Sequence, residues 1–332
     1  RQRSFLPLLP TVFQPEQLRF ILEEISHTKK DTTTMQSTAQ PILPPIERYI
    51  ACACIVGEGP VWHPTRSILY WVDIDGKAIH SYDPATQEHR VRPTAGKPTA
   101  LAFQAHGDML VGLDDTLVWM NDDGQVTRVV WTPDENTTGW RFNDGKVDPS
   151  GRFWIGGITA PQTPTNQLFR YNPDSGSMTV METGIHGSNG MDWDMVRGIF
   201  YYADTETGNV YTYDYDDTSG QISNRRVFVH LAGQYPDGLT LDIDGNVWLA
   251  VWGSAVILRF APDGTPLGSI PVPSQASSSC IFGGDDLRDL FITTAAVGTP
   301  EALRAQEPYA GDVFVVRGAG QGRAVHLLRS LP

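Results

Sequence analysis

From Ile50 onward, short apolar runs alternate with polar turns in a couplet that keeps returning. Ile68-Leu69-Tyr70-Trp71-Val72 is followed by Ala78-Ile79-His80-Ser81-Tyr82 and closed by Asp83-Pro84. The couplet recurs at Met109–Leu113 with Leu117–Met120, Phe153–Gly156 with Gln167–Tyr171, and Ile199–Ala203 with Asn209–Tyr213. Two more copies are Val247–Val251 with Val256–Phe260 and Leu290–Thr293 with Gly311–Val316. Runs rich in β-branched and aromatic residues, bounded by Gly, Pro, Asn and Asp, are strand and turn signals. A further strand-like segment precedes each couplet: Val61–Pro64, Ala100–Phe103, Lys146–Pro149, Met191–Trp193, Leu239–Ile243 and Cys280–Phe282. Six units recurring at about 40 to 47 residues, each able to supply four strands, predict an all-β fold, a six-bladed β-propeller. The leading segments are then the innermost strands around the axis.

Residues 1–45 break this pattern. Leu18, Ile21, Leu22 and Ile25 fall at helical spacing, and Pro15 suits a first turn, so a short amphipathic helix is expected. Lys29–Gln40 is polar and threonine-rich and Pro41–Pro45 is proline-rich, which reads as a linker. The expected organisation is an N-terminal helical arm over 1–45 and a propeller domain carrying the chemistry over 46–332.

Composition narrows the partners. With 25 basic and 38 acidic side chains the formal net charge is −13, which opposes binding to nucleic acid or an anionic membrane. No run approaches the roughly 18 apolar residues of a membrane helix, so a soluble, cytoplasmic protein is expected. Cys52, Cys54 and Cys280 make an odd set and no disulfide framework, and two thiols alone make a poor zinc site. Plain buried cysteines are the expectation. The histidines show no HxH or HExxH spacing, and there is neither a GxSxG elbow nor a P-loop.

What remains is a recurring oxygen-bearing residue before glycine: Glu58-Gly59, Asp144-Gly145, Asn189-Gly190 and Asp237-Gly238. An isolated Asp-Gly or Asn-Gly is ordinary turn chemistry. Four copies at one position of a repeated unit, at the entrance of four of the six inner strands, converge on one mouth of the channel. Such an oxygen shell suits a hard divalent cation. The equivalent positions elsewhere, Pro98 or Thr99 and Ser278 or Ser279, would line the pocket without binding metal. Asp148, Asp192 and Asp242 sit further into the strands and read as structural, and His63 and His186 as rim hydrogen-bonders.

The segments Gly57–Trp62, Arg141–Pro149, Ser188–Trp193, Pro236–Gly238 and Cys280–Gly284, in this order and spacing, resemble the gluconolactonase, regucalcin and luciferin-regenerating enzyme family. The resemblance runs from about Ile50 to Arg317. It implies a propeller with one divalent metal ion on its axis, held by Glu58, Asn189 and Asp237. It also implies substrate contacts from Arg141 and Asn143, with Asp144 the acidic neighbour in the substrate-binding set. Asp237 is then the expected catalytic general base, because a ligand carboxylate keeps a second oxygen for a proton. The expected reaction is hydrolysis of a small-molecule lactone, an aldonolactone foremost, to the hydroxy acid. A non-sugar ester or lactone and a non-enzymatic calcium-binding propeller are the alternatives. Oxygen ligands suit Ca, Mg or Mn, and Zn and Fe(II) also accept carboxylates. The loop Ile158–Gln167, where some members carry a glutamate over the substrate, reads Thr159-Ala160-Pro161-Gln162-Thr163-Pro164 here.

Overall fold

The computed structural model describes residues 44–133, 139–297 and 305–329. The helix expected within residues 15–25 lies outside them. The described residues form six four-stranded antiparallel sheets, built from strands β1–β24 in chain order, and nearly no helix. The innermost strands are β2 (Gly57–His63), β6 (Pro98–Phe103), β10 (Trp140–Val147), β14 (Ser188–Asp194), β18 (Tyr235–Leu241) and β22 (Ser277–Gly283). Five blades take consecutive strands. The sixth takes its outer strand from the other end of the chain: β1 (Ile46–Ile50) pairs antiparallel with β24 (Val313–Val316). Local patterning does not announce this closure, because the two strands are far apart in sequence.

Burial dictates the packing. In each sheet the first three strands are largely buried, whereas most outer strands are exposed, as in the run Gln221–His230. Adjacent blades therefore bury large side chains against each other. Between the third and fourth blades lie Trp154, Trp193, Phe200 and Tyr213, and between the sixth and first Trp62 stacks on Phe291 at 5.5 Å.

The inner strands begin earlier than the apolar pattern implies, so the oxygen-bearing residues lie inside them and not at their entrances. Each inner strand carries one extra residue just there. From Glu58 to Val61 the strand advances three residues while its partner moves two, from Val72 to Tyr70. The same irregularity falls at Pro98/Ala100, Phe142/Gly145, Ser188/Met191, Pro236/Leu239 and Ser277/Ser279. A bulge bends the strand and re-aims a side chain. At Gly190 the glycine serves a close approach, since a Cβ there would stand 2.5 Å from the Asp237 carbonyl of the next blade, whereas Gly59 answers a φ of +52°.

On the face away from these residues the C-terminal segment crosses the channel. Gly322 bridges to Asp242, Leu328 N–H donates to the Phe103 carbonyl at 2.8 Å, and Arg329 N–H donates to that of Gly151 at 3.1 Å.

Candidate metal and substrate site

A cavity of about 280 Å³ opens at the mouth where the bulged strands converge. Its lining includes Glu58, Arg141, Asn143, Asn189 and Asp237. Five of the six residues marked from sequence therefore meet in one place. Asp144 is the exception, since it borders a much narrower channel beneath, whose other end is closed by Val325, His326 and Leu327. The bulge between Phe142 and Gly145 falls at these two residues and re-aims them, which separates Asn143 from Asp144. Ser279 also borders the lower channel. Thr99 donates to the Gly112 carbonyl and Ser278 to that of Gly57, so neither lines the mouth as expected. His63 lies buried between Tyr70 and Phe103, away from the cavity.

Second partners hold the donors in place. Asn189 Nδ2 donates to Thr205 Oγ1 at 2.7 Å, and Thr205 Oγ1 donates to the Pro236 carbonyl at 2.9 Å. This orients the Asn189 amide and leaves its buried Oδ1 with no partner among the described residues. Glu58 accepts from Gly59 N–H at 2.7 Å, and its carboxyl is in hydrogen-bond contact with that of Asp237. Arg141 Nη1 donates to Asn143 Oδ1 at 2.6 Å and to the Phe142 carbonyl at 2.8 Å, and Asn143 Nδ2 donates to the Ser188 carbonyl at 2.8 Å. The other Arg141 N–H groups take no acceptor among the described residues.

The electrostatics are unfavourable without a positive charge. Burial, then the Asp144 charge, pushes the Glu58 carboxyl up to about 8. Burial pushes Asp144 up to about 6. Asp237 stands well above the ordinary carboxylate range through burial, then the charges of Glu58 and Asp144. Burial lowers Arg141. Like charges brought together in a desolvated site raise one another's proton affinity. Two carboxylates and an unpartnered amide oxygen around one point fit a divalent cation in donor type and charge.

The rest of the cavity wall comes mostly from where second strands end and turn toward third strands. Ile74, Ile158, Gln162, Thr205 and Trp252 lie there, in four of the blades, with Tyr235 and Val297 beside them. Of these the sequence marked only the Ile158–Gln167 loop. Their shared repeat position was the available signal, but turn residues carry no periodicity to expose it. Gln162 of that loop lines the cavity, and its buried Oε1 has no partner among the described residues.

The fold and its open, carboxylate-lined mouth define a six-bladed propeller with a cavity on its axis. The chain matches the family profile described as SMP-30/Gluconolactonase/LRE-like region over residues 56–296, and it belongs to that family. Pentonolactonase XacC of Haloferax volcanii is 37% identical over 255 residues, covering 75% of this chain and 85% of that protein. The putative sugar lactone lactonase YvrE of Bacillus subtilis is 35% identical over 267 residues, covering 78% and 90%. A solved luciferin-regenerating enzyme superposes with a TM-score of 0.80 at 27% identity, over 86% of this chain and 100% of that one. No described helix is long and apolar enough to cross a membrane.

Proposed function

We propose that the protein is a divalent-metal-dependent lactonase that opens a lactone, a sugar lactone foremost, to its hydroxy acid. The observation that carries this reading is the buried, unpartnered Asn189 Oδ1 beside the touching carboxyls of Glu58 and Asp237. Relatives named as lactonases support the reaction class. Glu58, Asn189 and Asp237 would hold the ion. When bound, a divalent cation supplies charge that polarises a carbonyl and acidifies water.

The chain's own residues do the rest. Arg141 directs its free N–H groups at the substrate's oxygens, a task for which a planar fork is suited. Asn143 fixes that guanidinium and keeps one amide N–H for substrate. Asp237 takes a proton from the attacking water as the carbon–oxygen bond forms. The ring carbon–oxygen bond then breaks, and Asp237 returns the proton to the departing alkoxide. Asp144 acts on the carboxyl pair from beneath and does not touch substrate.

The test is hydrolysis of an aldonolactone panel after chelation and after return of Ca, Mg, Mn, Zn or Fe(II). Turnover that vanishes and returns supports the reading, and no turnover with any ion contradicts it. One observation favours a second reading: Val56, Ile74, Ile158, Tyr235, Trp252 and Val297 make much of the wall apolar. That wall suits a lactone bearing an apolar substituent, and aromatic and macrocyclic lactones on the same panel decide between the two.

A further inference from the structure

The connector between β1 and β2 contains Cys52 and Cys54, and it spans the seam where the last blade meets the first. Cys54 is buried, and Trp71 Nε1 donates to its Sγ at 3.4 Å. That Sγ also lies 4.0 Å from His80 Nε2. One ligand atom each from Cys54, Asp73 and His80 falls within 4.8 Å of the others. We propose that Cys54, His80 and Asp73 form a second metal site, separate from the axial one and selective for a thiolate-preferring ion such as zinc.

Each donor has the capacity this requires. Asp73 accepts three backbone N–H groups, with Val56 and Gly76 on Oδ1 and only Ile55 on Oδ2. A carboxylate offers about four acceptor sites, so one remains at Oδ2. His80 Nδ1 is 3.1 Å from His89 Nε2. An outer partner of this kind fixes the ring and leaves the inner nitrogen free to ligate. Tetrahedral zinc bonds separate sulfur and nitrogen ligands by ~3.6 Å, so the thiol and imidazole need close by only a few tenths of an ångström. Cys52 and His89 are half-buried, which leaves a route in. A thiolate, an imidazole and a carboxylate select zinc over the hard ions that suit an all-oxygen set. The ion would tie the connector to the first blade, four residues before Glu58.

Cobalt(II) separates the two sites spectroscopically. The full chain, reduced and freed of metal with a chelator, is titrated with cobalt(II). A thiolate-to-cobalt charge-transfer band that saturates near about one equivalent is expected. The band persists in Asp237→Asn and disappears in Cys54→Ser, and zinc(II) abolishes it by displacement. Absence of the band in the wild-type chain at saturating cobalt overturns the proposal. So does a band of undiminished strength in Cys54→Ser, or one that only Asp237→Asn removes.

Discussion

Asp148 and Asp237 are both aspartates of the propeller's inner wall, 0% and 4% exposed, yet their surroundings are opposite. Asp148 accepts from Arg152 Nε at 2.6 Å, Trp154 Nε1 at 2.9 Å and Tyr215 OH at 2.9 Å. Asp242 repeats the arrangement, accepting from Trp248 Nε1 at 3.1 Å and Asn246 Nδ2 at 2.8 Å. Asp237 meets two other carboxyls and the backbone of Gly238. Braces of the first kind join the strands of a blade and, through Tyr215, tie it to the next. A cluster of the second kind is tolerated only where the fold has a use for it, because unpaired buried charge is destabilising.

The largest expected effect separates the two kinds outright. Asp237→Asn should cut lactone turnover by about 10²–10⁴-fold, the range of a lost general base. In the metal-free protein it should leave the melting temperature unchanged or raise it. Steady-state kinetics and calorimetry on one preparation check both halves. Asp148→Ala should do the reverse, costing about 3–5 kcal/mol in denaturant unfolding because Arg152 is left buried without its carboxylate. Its KM for lactone should stay at the wild-type value in the folded fraction.

A smaller effect is expected one step from the cluster. Thr205→Val removes the hydroxyl that orients Asn189, and affinity for the axial ion should fall about 10–100-fold by titration calorimetry. The smallest concerns a buried group with no part in the site. Burial, then the Arg66 charge, lowers His63 from 6.5 to about 4. Unfolded His63 takes up a proton that the folded form refuses, so its contribution is full above pH 6.5 and is lost as pH falls toward 4. His63→Phe should flatten stability against pH across that window and leave turnover unchanged.

Much of the frame was legible in the chain. The period of the apolar couplets marked six blades, and the recurrence of Glu58, Asn189 and Asp237 at one repeat position marked the mouth. Bulges were not legible, because Asp-Gly and Asn-Gly read locally as turns, and only the pairing with the second strand shows that the residues lie within it. Closure by Ile46–Ile50 and the crossing of Gly322–Arg329 depend on contacts between distant parts of the chain. The family resemblance groups Asp144 with Arg141 and Asn143, and only the bulge in the folded strand shows that it borders the lower channel. The meeting of Cys54 with His80 follows no ligand spacing and emerges only when the connector folds over the first blade.

Anomalous diffraction from crystals soaked in manganese(II), a hard ion suited to oxygen ligands, bears most directly on why the unpaired donors exist. One peak is expected at bonding distance from Glu58, Asn189 and Asp237 together. A map with no peak there, at occupancies that reveal manganese elsewhere on the protein, would contradict the account.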